Sequence, residues 1–124
     1  MRKVLCVDDE KSIRRLYADL LPEYGDFDVR VAEDGAAALQ EIALGFVADV
    51  VVTDLRMPKM DGCQLLAALR ARGYTRPVLL VTAFALGVDV SGFAAVHLKP
   101  FNFERLAADI EKFAAFPSRA AAST

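Results

Sequence analysis

Five short apolar runs divide the chain, and longer segments with helical periodicity separate them. The runs lie at 3–7, 27–32, 47–53, 77–82 and 94–98. Those at 47–53 and 77–82 are apolar almost throughout, as in central strands covered on both faces, whereas 27–32 alternates with polar residues, as in an edge strand. Strands that alternate with helices form βαβ units. We therefore predict an α/β protein in which a five-stranded parallel sheet lies between two helical layers.

The segments between the runs carry helix starts and stops. The first helix is predicted by apolar residues spaced along one helical face: Ile13, Leu16, Tyr17, Leu20 and Leu21. Pro22 and Gly25 should end it. Further helices should begin after three capping residues: Asp34, Asp61 and Asn102.

Composition limits the function classes. The 124 residues, 55% of them apolar, suit one compact domain, which we place at 1–116 with a flexible tail at 117–124. A net charge of −2 gives no electrostatic case for nucleic-acid binding. No apolar run reaches the roughly 18 residues of a membrane span, and acids interrupt the N-terminal run, unlike in a signal peptide. We expect a cytoplasmic protein with no nucleic-acid or membrane partner, in which Cys6 and Cys63 are buried or half-buried thiols.

Polar side chains follow four of the five runs. Asp8 and Asp9 follow the first, Asp54 follows the third, Thr82 ends the fourth and Lys99 follows the fifth. In open parallel sheets, ligands bind outside the carboxyl ends of the strands. We therefore expect these five side chains to meet at one edge of the sheet.

Three neighbouring carboxylates repel one another unless a cation lies among them. A few protein oxygens supplemented by water suit Mg²⁺, which favours phosphate as a further ligand. Lys99 supplies a compact positive charge for an anion, and Thr82 can donate a hydrogen bond to a phosphoryl oxygen. Asp54 can then serve as a carboxylate nucleophile that becomes an aspartyl phosphate. The sequence predicts no cofactor besides Mg²⁺.

Four motifs in order resemble the receiver domains of bacterial two-component response regulators. They are VDDE at 7–10, VVTDLRMPKMDG at 51–62, VTA at 81–83 and LKPF at 98–101. The resemblance spans about residues 1–116, nearly the whole chain. It implies the flavodoxin-like (βα)5 three-layer sandwich with strand order 2-1-3-4-5.

The resemblance also implies roles for the acidic residues. Asp54 would be the phosphorylated residue. Asp9, Asp54 and the backbone carbonyl of Arg56 would bind Mg²⁺, with Asp8 assisting through water.

The same resemblance assigns the phosphoryl contacts. Thr82 and the backbone N–H of Ala83 would contact the phosphoryl group, and Lys99 would pair with it. The Lys99–Pro100 bond would be cis, as an X-Pro bond can be at little cost.

The function implied is that of a phospho-acceptor signalling domain. It would take a phosphoryl group from a sensor histidine kinase or a histidine phosphotransfer protein and then engage a downstream protein; a weak homodimer is compatible with this. It would catalyse only its own phosphorylation and dephosphorylation. The alternative is a receiver-like adaptor that does not switch. A phosphate-ester hydrolase of the aspartyl-phosphate type is disfavoured. Those enzymes carry an Asp-x-Asp pattern at one strand end, whereas here Asp8 and Asp9 are adjacent and Asp54 lies far from them in the sequence.

Two departures from the family pattern concern the output. Val96 occupies the position, three residues before the lysine, where the family carries a Tyr or Phe that swings inward. Valine is too stiff and short for that switch, so the relay should be absent or rebuilt with Phe93 or His97. His97 otherwise suits a structural or surface role.

The second departure is the short connection between the fourth and fifth runs. Gly87, Gly92 and the β-branched Val88 and Val90 disfavour a helix there. We predict a shortened or irregular fourth helix, with one to two turns at most or a mobile irregular segment. The face that the family uses for output should therefore be altered.

The family resemblance also implies that two bulky residues border the route of hydrolytic water. Arg56 lies two positions after Asp54, and Phe84 lies two positions after Thr82. We therefore expect slow self-dephosphorylation.

Overall fold

The computed structural model describes residues 1–115, and a single five-stranded sheet organises them. The strands are β1 Arg2–Val7, β2 Phe27–Ala32, β3 Val50–Thr53, β4 Val78–Thr82 and β5 Ala95–Leu98. The helices are α1 Lys11–Tyr24, α2 Gly35–Ala43, α3 Gly62–Ala71 and α4 Phe103–Ala114. Every neighbouring pair of strands is parallel, in the order β2-β1-β3-β4-β5. The predicted fold class, strand order and edge position of β2 are confirmed.

The predicted tail at 117–124 lies outside the described residues. Within 1–115, no helix combines the length and apolar character that crossing a membrane requires.

Alternating side chains of the strands build one apolar core on each face of the sheet. Towards α1 and α4, the core includes Val4, Cys6, Val52, Leu79, Tyr17, Leu21, Leu106 and Ile110. Towards α2 and α3, it includes Leu5, Val7, Val51, Leu80, Leu39, Leu65 and Leu69. Successive residues of a strand face opposite sides, so β1 and β3 contribute to both cores. This produces the predicted three layers.

The predicted helix starts are confirmed by side-chain caps. Asp34 accepts a hydrogen bond from the Ala37 N–H at 2.8 Å. Asp61 and Gln64 form a reciprocal capping box at the start of α3. Asn102 caps α4 in the same way as Asp34 caps α2. Each cap satisfies an N–H group that the helix itself leaves without a partner.

Two details of the α1 prediction were wrong. The helix continues through Pro22 and ends at Tyr24, with Gly25 as its C-cap as predicted. Proline removes one helical hydrogen bond and crowds the carbonyl four residues earlier, but packing of the buried Tyr17 and Leu21 favours continuation of the helix. Leu16 was expected to face inward but is 40% exposed, because the buried stripe is narrower and consists of Tyr17 and Leu21.

The connection between β4 and β5, residues 83–94, contains turns but no helix. Gly87 has φ +77°, which a left-handed turn requires. Val88, Val90 and Phe93 pack against the core beneath α2 and α3. The prediction of a shortened or irregular helix is confirmed in its irregular form. With no helix there, Val96 on β5 stays 37% exposed beside its buried register partner Leu80.

We predict that Gly62→Ala destabilises the fold more than Gly35→Ala, although each glycine is the first residue of a helix. A Cβ at Gly62 would lie 2.5 Å from the Asp54 backbone oxygen, which cannot move without disturbing β3. The cost should be about 1–3 kcal/mol in urea unfolding. At Gly35, the Cβ would meet the flexible end of Met60 at 2.5 Å, so a smaller loss is expected. Equal losses would contradict this explanation of the close approach between Gly62 and the Asp54 backbone.

Candidate functional site

Three carboxylates meet at the carboxyl edge of the sheet, as predicted. Asp8, Asp9 and Asp54 each offer an oxygen, and these atoms lie within 4.8 Å of one another. The parallel ladder sets this spacing, because the Asp54 N–H donates to the Val7 carbonyl at 2.9 Å. Asp8 is fully buried and Asp54 is 7% exposed, whereas Asp9 is exposed. The cluster is therefore built into the end of the sheet rather than scattered over a loop.

Lys99 joins two of these carboxylates. Its Nζ lies 2.8 Å from Asp8 Oδ2 and 3.1 Å from Asp54 Oδ2. Its backbone N–H donates to the Thr82 carbonyl at 2.8 Å, which fixes the start of the side chain beside β4. The Lys99–Pro100 peptide bond is cis, as expected from the resemblance.

The Asp54 carboxylate is oriented by one contact on each oxygen. Oδ1 accepts the Leu55 N–H at 2.7 Å, and Oδ2 accepts the Lys99 ammonium. A carboxylate oxygen can accept more than one hydrogen bond or coordinate a cation as well. Asp54 therefore keeps free acceptor capacity towards the cavity above it.

Burial and charge act against each other in the cluster. Burial raises the pKa of Asp8 above its ordinary value, and the Asp54 charge raises it further, although Lys99 and the Glu10 N–H oppose the shift. For Lys99, burial lowers the pKa, but hydrogen bonds and charges from Asp8 and Asp54 together outweigh it and raise the pKa. Lys99 therefore remains an ammonium at neutral pH, and one ammonium faces three acids.

A cavity of about 280 Å³ opens above the cluster. Its lining residues are Asp9, Glu10, Asp54, Arg56, Thr82, Ala83, Phe84 and Lys99. Every predicted metal or phosphoryl residue lines it except Asp8, which lies buried beneath. The structure thus brings the predicted residues together around one space.

Thr82 is 1% exposed, and its hydroxyl is only weakly engaged. The Thr82 Oγ1 lies 3.4 Å from both the backbone N–H and the carbonyl of Phe84. These are long hydrogen bonds. Val96, the predicted switch position, does not line the cavity.

One residue at this site escaped the sequence analysis. Arg14 on α1 donates from Nη1 to the backbone carbonyl of Asp8 at 2.9 Å. The available signal was a basic residue in the helix that directly follows an acidic run. Sequence alone does not show which carbonyl a guanidinium reaches.

The donor set fits a hard divalent cation. Three carboxylates supply oxygen only, and hard cations such as Mg²⁺ bind oxygen while retaining several waters. Fold and site together define a flavodoxin-like α/β domain with an acidic, cation-ready pocket at the carboxyl edge of its sheet.

Comparison with known proteins identifies the family. The chain belongs to the response regulator receiver domain family, whose model matches residues 4–111. Receiver domains are signalling domains of two-component systems rather than classical enzymes.

The similar proteins include free-standing and embedded receivers. The chain is 38% identical over 117 residues to the chemotaxis protein CheY of Pseudomonas aeruginosa, covering 89% of this chain and 94% of that protein. It is 37% identical over 108 residues to the sensor histidine kinase RcsC of Salmonella typhi, covering 83% of this chain but only 11% of RcsC. The response regulator TrrA of Thermotoga maritima, solved in complex with Mg²⁺-BeF, is 31% identical with a TM-score of 0.80, covering 91% of this chain and 99% of that one.

We predict that Asp8→Asn stabilises the metal-free protein at pH 7. Because burial raises the Asp8 pKa, the native state binds this proton more tightly than the unfolded chain. Asp8 therefore lowers the unfolding free energy as pH rises above its ordinary value of 3.8. The variant's advantage in thermal unfolding in EDTA should shrink as pH falls towards that value. Asp19→Asn, an exposed change on α1, should alter stability little; an Asp8→Asn protein less stable than wild type at pH 7 would contradict the prediction.

Proposed function

We propose that this chain is a phospho-acceptor signalling domain in which Asp54 takes a phosphoryl group from a histidine kinase or a histidine phosphotransfer protein. The observation that carries the proposal is the position of Asp54. Its carboxylate belongs to the acid cluster, accepts a hydrogen bond from the Lys99 ammonium and lines a cavity of about 280 Å³. The phosphoryl group would then change the surface that a downstream protein binds.

The transfer would proceed as an in-line displacement. An Asp54 oxygen would form a bond to phosphorus while the phosphorus–nitrogen bond of a phosphohistidine breaks. The electron pair of that bond would leave with the imidazole, which then takes a proton from water. Lys99 would turn from the Asp54 carboxylate towards the new phosphoryl oxygens, whose charge it offsets.

Asp9, Asp54 and the backbone carbonyl of Arg56 would hold Mg²⁺, with Asp8 contributing through water. When bound, the cation would neutralise part of the phosphoryl charge that develops during transfer. The Mg²⁺-BeF complex of TrrA supports this assignment, because TrrA shares 31% of its sequence with this chain over most of its length. The free acceptor capacity of Asp54 and the exposure of Asp9 leave both available as ligands.

Thr82 and the Ala83 N–H would contact the phosphoryl oxygens. The hydroxyl of Thr82 is held only by 3.4 Å contacts with Phe84, so its release costs little. Its departure would loosen the turn that begins the connection at 83–94. Because that connection has no helix, the change would reach the surface through an irregular segment.

The signal cannot be relayed by an aromatic ring at position 96, because that residue is valine. Phe93 and His97 are the two residues that could replace an aromatic switch at position 96. Phe93 is 8% exposed and packs in the core, so its ring is not free to swing. His97 is better placed: its Nε2 lies 2.7 Å from Asp109 Oδ2 and ties β5, the strand leading to Lys99, to α4.

An apolar groove beside the site supports a protein phosphodonor. Its lining residues are Glu10, Ile13, Leu16, Lys99, Pro100, Phe101 and Phe103. It shares Glu10 and Lys99 with the phosphoryl cavity. The apolar face of a partner helix could pack there and present its phosphohistidine to Asp54.

The second candidate is a receiver-like adaptor that does not switch. The valine at position 96 and the missing helix between β4 and β5 favour it. Beryllium fluoride separates the two functions, because it mimics the phosphoryl group. Binding that leaves partner affinity unchanged would support the adaptor.

We predict that wild type gains one phosphoryl group from a small-molecule phosphodonor with Mg²⁺, and that Asp54→Asn gains none. Intact-mass spectrometry measures the addition directly. Asp28→Asn on β2 removes an acid outside the cavity and should label like wild type. An unlabelled wild type, or a labelled Asp54→Asn, would overturn the proposal.

We further predict slow self-dephosphorylation. Arg56 and Phe84 both line the cavity, and Phe84 is 55% exposed at its rim, so both obstruct an approaching water. Arg56→Ala and Phe84→Ala should each accelerate loss of the phosphoryl group severalfold, with the double variant fastest. Decay of the wild-type phosphoprotein within seconds in Mg²⁺ buffer would contradict the prediction.

A further inference from the structure

Arg14 holds the turn that carries the first two acids of the site. Its backbone N–H donates to the Glu10 carbonyl at 3.1 Å, and its guanidinium donates to the Asp8 carbonyl at 2.9 Å. The Arg14 side chain therefore reaches back across the start of α1 to the end of β1. It is half-buried there, whereas the neighbouring Arg15 is exposed.

The N-terminus of α1 has no side-chain cap that could hold this turn. Glu10, the N-cap residue of α1, makes no side-chain capping bond, and the first turn contains no acidic residue. Basic side chains near a helix N-terminus oppose the helix dipole. The start of α1 thus departs from the usual rules at the position where the site acids lie, and such departures occur mainly at functional sites.

The contact matters most for Asp9. Each other polar group of Asp8 has its own partner: the N–H donates to Ala32, and the carboxylate accepts from Glu10 and Lys99. Asp9, in contrast, is exposed, and within 1–115 its carboxylate forms no hydrogen bond or ion pair. The Asp8 carbonyl lies in the rigid peptide plane that leads to Asp9. A guanidinium fixed on that carbonyl therefore sets the direction from which Asp9 enters the cluster.

We infer that Arg14 is a positioning residue for the divalent-cation site: it orients the Asp8–Asp9 peptide so that both carboxylates face the cation. The inference rests on the proposed function, because it takes the acid cluster as the Mg²⁺ site. Arg14 does not itself touch the cation or the phosphoryl group.

A positioning role and a purely electrostatic effect predict opposite changes in Mg²⁺ affinity when Arg14 is replaced. A positive charge near the cluster repels Mg²⁺, so its removal alone should strengthen cation binding. Loss of an outer contact that orients a ligand weakens metal binding, typically by about tenfold or more. A weaker site after removal of Arg14 would therefore come from lost orientation.

The test measures Mg²⁺ affinity of the unphosphorylated protein by calorimetry, since the chain has no tryptophan to report binding by fluorescence. Arg14→Met keeps the alkyl stem and should bind Mg²⁺ about tenfold more weakly than wild type. Arg15→Met removes the same charge from the next position and should bind equally or slightly more tightly. Arg14→Lys keeps the charge but changes the reach and geometry of the donor, so its affinity should lie between those of wild type and Arg14→Met.

The possible results distinguish failure of the positioning role of Arg14 from failure of the proposed cation site. Equal or tighter binding by Arg14→Met would overturn the positioning role alone. Absence of Mg²⁺ binding by wild type would overturn the proposed cation site and the positioning role with it. If Arg14→Met does not fold, as judged by circular dichroism in EDTA, Arg14→Lys decides: wild-type affinity would refute positioning, and weakened affinity with retained charge would support it.

Discussion

The contact of one ammonium with two buried carboxylates links the arrangement of the sheet to the candidate site. Lys99 can reach Asp8 at 2.8 Å and Asp54 at 3.1 Å only if the ends of β1, β3 and β5 converge. The strand order provides this, because β3 lies between β1 and β4, and β5 lies beyond β4. Helices cover both faces of the central strands, so the charged cluster is open to water at the carboxyl edge, where the cavity lies. The two cores thus hold in place the strand ends that carry these charges.

The clustered acids lower the stability of the metal-free fold but allow the site to bind a cation. Asp8 is fully buried with a raised pKa, and a neutral side chain would suit the metal-free fold better. An acid cluster that one lysine cannot neutralise keeps a standing attraction for a cation and, with it, a phosphoryl group. Perturbed pKa values of this origin mark functional sites more often than structural ones. Arg14 is a second group whose position is unfavourable for stability, because a basic side chain near the N-terminus of α1 opposes the helix dipole. We infer that it is there to hold the acidic turn.

Much of the architecture could be predicted because its signals are local. Apolar runs, caps at Asp34 and Asp61, and polar residues at strand ends led to the sheet and the site, while the strand order came from the family resemblance. Predictions failed where tertiary packing decides. Pro22 remains inside α1, Leu16 faces solvent, and β3 begins at Val50 rather than at Val47, which is 69% exposed. The Arg14 contact depends on the shape of a turn, and no periodicity encodes it.

The most direct test of the central claim, that this edge of the sheet accepts a phosphoryl group on Asp54, is a crystal structure of the protein with Mg²⁺ and beryllium fluoride. The expected result is beryllium bonded to an Asp54 oxygen, the cation against Asp9 and the Arg56 carbonyl, and both Thr82 and Lys99 turned towards the fluorides. An Asp54 carboxylate without beryllium at saturating concentrations, still held by Lys99 as in the free protein, would contradict the claim.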